Sequence, residues 1–263
     1  MPTSLIKHRG LIARMAEREV IGRYRGSIMG LAWSFLNPVL MLAVYTFFFS
    51  VIFKARWDTP GADDKSTFAI MLFIGLIVHG IFAECITRAP GLVVGNVNFV
   101  KKVVFPLEIL VPVTMASALF HALVSTLVML VVQFFVMGHI PLTALLLPVV
   151  LLPLVILTTG IGWFLASLGV FVRDIGQATG ILVTVLLFLS PVFYPISALP
   201  EQHQEWFRLN PLTPIIEEAR AVLVFGAGID WGPWLVRILV STLLAWLGLW
   251  WFQKTRKGFA DVL

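Results

Sequence analysis

Residues 109–172 form a run of 64 without one Asp, Glu, Lys or Arg. A water-soluble domain does not keep every helix face free of charge for that distance, and a helix needs only about 20 apolar residues to cross a bilayer. The run is too long for one crossing and right for two, with Gly138-His139-Ile140-Pro141 as the turn between them. This divides it into spans at 109–137 and 142–172. Four other apolar runs obey the same rule, at residues 33–53, 68–85, 175–194 and 231–252. The first contains Asn37-Pro38, the third is closed by Pro195, and the last is interrupted only by Arg237 near its start. Six spans are expected. The chain is 59% hydrophobic and only 13% charged, where soluble domains carry about 25% charged residues. Lipid is its solvent.

An even number of spans puts both ends of the chain on one side, and the excess of Lys and Arg selects the cytoplasmic side. Thirteen of the 19 basic residues fall on one face: six in the first 32 residues, then Arg88, Lys101, Lys102, Arg173, Lys254, Arg256 and Lys257. The other face has six basic residues against eight acids. Both termini are expected on the cytoplasmic side. This topology accounts for the net charge of +5, so nucleic acid is not called for as a partner. A single cysteine, Cys85, excludes an intrachain disulfide and a cysteine zinc cluster. The first 32 residues contain no uninterrupted apolar core of a secretory signal, so the first span is expected to direct insertion.

Residues 1–32 are expected to form one helix. Lys7, Arg14, Arg18 and Arg25 share one face of a 3.6-residue wheel, and Leu5, Ile12, Ala16 and Val20 share another. A basic amphipathic helix of this kind lies in the headgroup plane against membrane lipids; a solvated helix is the plainer alternative. Glu19 and Arg23 fall on the apolar side, where they could pair at i,i+4. Residues 195–230, outside the membrane, are long and half apolar. A short helix is expected over 199–209 and a second opening at Thr213-Pro214 and running to Gly226. Two such helices suggest a re-entrant or interfacial hairpin, which is stable at membrane depth only where protein or a watery cavity covers its backbone. The fold class is all-α: a polytopic membrane protein with six transmembrane helices, an N-terminal amphipathic interfacial helix and an external re-entrant hairpin before the last span. Residues 1–263 form a single domain.

Enzyme chemistry is not visible. There is no G-x-x-x-x-G-K-[ST] phosphate loop, no H-E-x-x-H and no G-x-S-x-G. No catalytic residue and no metal ligand is assigned. His79 and His121 lie within spans and are expected to be hydrogen-bonded core histidines. Ionisable groups at mid-span are costly, about 2.5–3.5 kcal/mol on insertion scales, and Glu84, Glu108, Asp174 and Arg237 all fall near span ends. Ion-coupled transport and intramembrane proteolysis lose ground on that count, and the energy source is expected in another chain.

Arg23-Tyr24-Arg25-Gly26-Ser27, then Gly30, Trp33 and Asn37-Pro38, lead into Val44-Tyr45-Thr46-Phe47-Phe48-Phe49-Ser50. This opening resembles that of type-2 ABC exporter permeases, in the branch that exports O-antigen, capsule or teichoic acid. Asn98-Phe99-Val100-Lys101-Lys102-Val103-Val104-Phe105-Pro106 resembles the cytoplasmic loop between their second and third spans. Phe171-Val172-Arg173-Asp174-Ile175, Ser190-Pro191-Val192-Phe193-Tyr194-Pro195 and Asn210-Pro211 resemble their fifth-span region. Each motif is weak alone; in order along the whole chain they are specific.

The resemblance implies a homodimer of permeases on two copies of an ATP-binding cassette subunit, which would hold ATP and magnesium, with none bound by this chain. It makes the loop 88–105 a coupling helix for the ATPase, through Asn98, Phe99, Lys101, Lys102 and Phe105; an ordinary basic loop explains the lysines but not their apolar neighbours. Pro191, Phe193, Tyr194 and Pro195 mark a gate, since each proline removes an internal hydrogen bond from the fifth helix. Aromatic faces suit the apolar C–H surfaces of sugar rings, so Trp33, Phe35, Tyr45, Phe47, Phe48, Phe49 and Phe188 are candidates to line a path for a lipid-linked polysaccharide. Arg14, Arg18, Arg23 and Arg25 belong to the interfacial helix. Gly22, Gly26 and Gly30, four apart, either make a smooth stripe for close helix packing or break the helix at Gly26. Arg173-Asp174 is expected to fix the turn between spans four and five. Rival readings are an ABC-2 permease for a drug or lipid, a membrane glycosyltransferase, and a structural scaffold.

Overall fold

In a computed structural model the described residues are 2–48, 65–101 and 105–263. They are helical and include no strand. Two short helices, α1 (Pro2–Lys7) and α2 (Arg9–Arg23), lead to α3 (Ala32–Tyr45). Then come α4 (Lys65–Arg88), the short α5 (Gly91–Val94) and α6 (Val97–Lys101), α7 (Leu110–Met137), α8 (Leu147–Phe171) and α9 (Ile175–Leu189). The chain ends with α10 (Glu201–Arg208), α11 (Leu212–Leu223), α12 (Trp231–Thr255) and α13 (Phe259–Val262).

Among the described residues four helical stretches are long and apolar enough to cross a membrane: Thr67–Arg88, Leu107–Met137, Leu142–Phe171 and Trp231–Val262. Two more, Ala32–Phe48 and Ile175–Leu189, are apolar but shorter. The 15 residues of α9 rise only about 22 Å, less than a hydrocarbon core of about 30 Å. The fifth run is apolar to residue 194, but Ser190 is extended and Pro191 follows it, so the helix stops five residues earlier.

The turn at Gly138 has φ +74°, and its N–H bonds Phe134 O at 2.9 Å, closing α7 with the left-handed cap that glycine allows. The first 32 residues are not one helix. His8 separates α1 from α2, and α2 ends at Arg23. Gly26 and Gly30 have φ of +87° and +51°. Of the two readings of the glycines, the break is the one found; a Cβ at Gly22, Gly26 or Gly30 would meet nothing within 4 Å.

The main core packs α4 against α7, α8, α9 and α11. Ile70, Ile74, Ile86, Leu154, Leu212, Ile216 and Val222 are 0–1% exposed. The helix α11 is thus inside the bundle, while α10 stays at the surface with Trp206 72% exposed. Thr213 does not cap α11, which begins earlier, at Leu212; the Asn210 side chain accepts from the Leu212 N–H at 3.0 Å instead. A second core joins α5, the segment 105–111, α8, α12 and α13 around Val93, Trp163, Phe252 and Phe259.

Candidate functional site

The bundle has two polar ends, called here the basic end, where α2, α5, α6 and α13 gather, and the hairpin end, where α10 and α11 lie. At the basic end α2 buries Ala16 and Val20 and packs along α7, while Arg14, Arg18 and Arg25 stay exposed. Glu19 and Arg23 do not pair with each other. Arg23 Nη2 donates to Glu84 Oε1, and Arg88 pairs with Glu19 at 2.6 Å and with Glu84 at 3.3 Å. Both residues that spoil the apolar face of α2 therefore cross to α4. The reason is electrostatic: Glu84 lies one turn inside the end of a span, and a carboxylate there needs cations from a neighbour. His121, from α7, completes the cluster at 3.6 Å from Glu84 Oε2 and 3.4 Å from Arg23 Nη1. His79 is a hydrogen-bonded core histidine, its Nε2 3.1 Å from Val183 O.

This cluster stands at one edge of a cavity of about 390 Å³ between the end of α2 and the facing sides of α3, α4 and α7. Ser34, Asn37, Met41 and Tyr45 line it from α3; Phe73, Ile77, Gly80 and Glu84 from α4; Ala118, His121 and Ser125 from α7. Tyr24, just past α2, meets His121 edge-on at 6.2 Å between ring centres. Burial pushes the Tyr24 phenol above its ordinary value, so it is a neutral hydroxyl at physiological pH.

Also at the basic end, the loop between α4 and α7 forms two short helices rather than one coupling helix. Pro90 opens α5, and Gly95 and Asn96, poor helix formers, separate it from α6. Asn98 and Lys101 are exposed, Phe99 stacks on Phe105 with ring centres 4.3 Å apart, and Lys102 lies outside the described residues. Arg256 reaches back from beyond α12 to this loop: its Nη1 donates to Glu108 Oε2 at 3.0 Å and its Nη2 to Phe105 O at 2.8 Å.

At the hairpin end the chain bends after α9. Asn210 Nδ2 donates to Leu189 O at 3.1 Å and to Ser190 Oγ at 2.9 Å, and the Tyr194 hydroxyl to Phe188 O at 2.5 Å. Phe188 stacks on Phe193 at 5.8 Å, and Pro191 and Pro195 flank the bend. Arg220 of α11 donates to Val192 O inside it. Arg237 of α12 pairs with Glu218 of α11.

Of the proposed aromatic lining, Tyr45 faces the cavity. Trp33, Phe35, Phe47, Phe48 and Phe188 are 39–61% exposed on the outside of the chain, and Phe49 lies outside the described residues. Sequence reasoning missed Glu84, Arg88 and His121 as one cluster, and Arg220 and Arg256 as ties. Their only sequence signal was polar side chains within apolar runs or beside them.

A family model described as ABC-2 type transporter matches residues 11–224. The O-antigen export system permease protein RfbA of Myxococcus xanthus is 28% identical over 260 residues, covering 98% of this chain and 96% of the relative. The polysialic acid transport protein KpsM of Escherichia coli is 25% identical, covering 80% and 79%. The capsule polysaccharide export inner-membrane protein CtrC of Neisseria meningitidis serogroup B is 25% identical, covering 97% and 94%.

Proposed function

The chain belongs to the ABC-2 type transporter family, and from that premise we propose that it is the inner-membrane permease of a polysaccharide exporter. Its cargo is a lipid-linked glycan of the O-antigen or capsule type, carried from cytoplasm to periplasm. The observation that carries this reading is the near end-to-end match to permeases named for O-antigen and capsule export. The chain performs no covalent chemistry. ATP and magnesium are held by two copies of a separate ATP-binding cassette subunit, on which two copies of this chain sit.

The proposed topology has six spans, α3 and α9 joining the four longer helices, with both termini cytoplasmic. The basic end is then the cytoplasmic one, and α10–α11 is a hairpin that re-enters from the periplasmic side. The buried position of α11 and the exposure of α10 support that placement. In the cycle, closure of the ATPase dimer presses on α5 and α6, through exposed Asn98 and Lys101. The stacked pair Phe99–Phe105 passes the displacement to the start of α7. At the other end the bend at 190–195, held by side-chain bonds rather than a helical ladder, is the segment that opens.

Deletion of the gene in its host tests the reading. Full-length lipid-linked glycan trapped in the cytoplasm, and released by complementation, is the expected result. An unaltered surface glycan would overturn it in favour of a drug or lipid permease. Loss of the polymer without an intracellular pool would return the enzyme reading.

A further inference from the structure

We infer that the cavity between α2, α3, α4 and α7 is a binding subsite for a short stretch of saccharide within one copy of the chain. The inference rests on the export reading and locates its substrate. At about 390 Å³ the cavity falls in the range of ligand pockets, about 300–1,000 Å³. It extends along α4 from Phe73 to Glu84, about 16 Å at the rise of a helix.

The polar groups of its wall call for an occupant. The buried Nε2 of His121 has no partner, and the exposed Asn37 amide and the half-buried Tyr45 and Ser125 hydroxyls line the same space without a protein hydrogen bond among the described residues. Helix packing alone gives no reason for the His121 ring, because Leu would pack there without leaving a buried polar atom unmet. Three helices turn such groups to one space, with Asn37 and Tyr45 from α3, Glu84 from α4, and His121 and Ser125 from α7. Water or a hydroxyl-rich ligand satisfies them, and an acyl chain does not.

Charge decides between a polyol and an anion. Two guanidiniums, Arg23 and Arg88, face two carboxylates, Glu84 and Glu19, and each cation is paired. A phosphate arriving at Arg23 would meet the carboxylate of Glu84 and compete with it for the guanidinium. Sugar hydroxyls donate to a carboxylate and accept from a guanidinium, so they insert into this cluster without disturbing its charge balance. Tyr24, Tyr45 and Phe73 are part of the same wall, and aromatic rings suit the apolar side of a pyranose.

Two features make a test clean. Cys85 is buried, 1% exposed, and can be replaced by Ala. A Cβ on Gly80 would meet nothing within 4 Å, so a side chain added there starts into the open space of the cavity. The permease–ATPase complex carrying Cys85→Ala and, in the cavity wall beside His121, Ala122→Cys is placed in nanodiscs and labelled with N-ethylmaleimide. The repeat-unit oligosaccharide cut from the host's own surface glycan is expected to slow labelling several-fold, and inorganic pyrophosphate to leave it unchanged. Gly80→Phe in the same background should abolish the protection and block export while the complex still assembles; Gly80→Ala should reduce both far less. Protection by pyrophosphate alone, a labelling rate set only by the lipid of the nanodisc, or no protection by either probe would each overturn the subsite. If deletion of the gene traps glycan but labelling is unprotected, the subsite falls and the export reading stands. A normal surface glycan on deletion brings down the export reading itself.

Discussion

Arg220 is 2% exposed, and its donors have three different partners. Nε donates to Met71 O in α4, Nη2 to Val192 O in the bend, and Nη1 to Glu217 one turn back, each at 3.0 Å. The guanidinium fork is needed because the two carbonyls lie on different elements and a lysine ammonium is a single point. Replacing Arg220 with Met leaves both carbonyls without this donor at a buried site, which costs about 1–3 kcal/mol for each group left unsatisfied. Thermal unfolding in detergent should show a fall of several degrees for Arg220→Met, and Arg220→Lys should recover only part of it. Glu217→Gln should change little, since that carboxylate side chain is 42% exposed and an exposed pair is worth roughly 0–1 kcal/mol. Single residues were the least legible part of the sequence. Glu19 and Arg23 read as flaws in an amphipathic wheel because local spacing offered only each other. Their true partners are Arg88 and Glu84, and Glu84 is 61 positions from Arg23.

The helices themselves were legible wherever hydropathy alone decides, as across the charge-free run that became α7 and α8. Boundaries set by a side-chain contact were not: α11 starts at Leu212 because Asn210 meets its first N–H, a bond no propensity announces. Glycines make the same point between helices. The spacing of Gly22, Gly26 and Gly30 is regular, but close approaches among the described residues lie elsewhere, at Gly160 and Gly248 and at Gly169 against Pro90. A Cβ on Gly248 would lie 2.1 Å from Gly160 O, and one on Gly160 would lie 2.4 Å from Ala245 Cα. These glycines let the backbones of α8 and α12 nearly touch. Gly248→Ala should therefore destabilise by about 1–3 kcal/mol or more through overpacking. Gly22→Ala, with open space and a helical position in the last turn of α2, should be neutral or stabilising by up to about 1 kcal/mol. Unfolding midpoints of the two variants in one detergent separate the readings, and a loss of equal size in both would refute the assignment of the close approach.

Across the whole molecule the charged ties sit at opposite ends of the bundle. Arg220 and the Glu218–Arg237 pair hold the hairpin to α4 and α12, and the Glu84 cluster and Arg256 hold the basic end. The Arg256 tie matters most for a machine driven from outside its own chain. In the proposed cycle, a push on α5 and α6 would do work on the spans only if the loop moved as a body with α7, and the loop's own helices have four and five residues. What stiffens it comes from the far end of the sequence. Arg256 bonds both Glu108 and Phe105 O, and Phe259, 0% exposed, packs on Phe252 and Phe171 while α13 lies against α6. Breaking this brace should therefore separate ATP hydrolysis from export rather than abolish both. In the reconstituted permease–ATPase complex, Arg256→Gln is expected to keep most of the ATPase rate while glycan export per ATP drops several-fold. The exchange Glu108→Arg with Arg256→Glu should restore part of that ratio, because it reverses the pair without removing it, though Phe105 O then loses its donor. A variant that lost both activities together, with no recovery in the exchange, would make Arg256 a folding residue only. An unchanged ratio would mean that the loop transmits force without its brace.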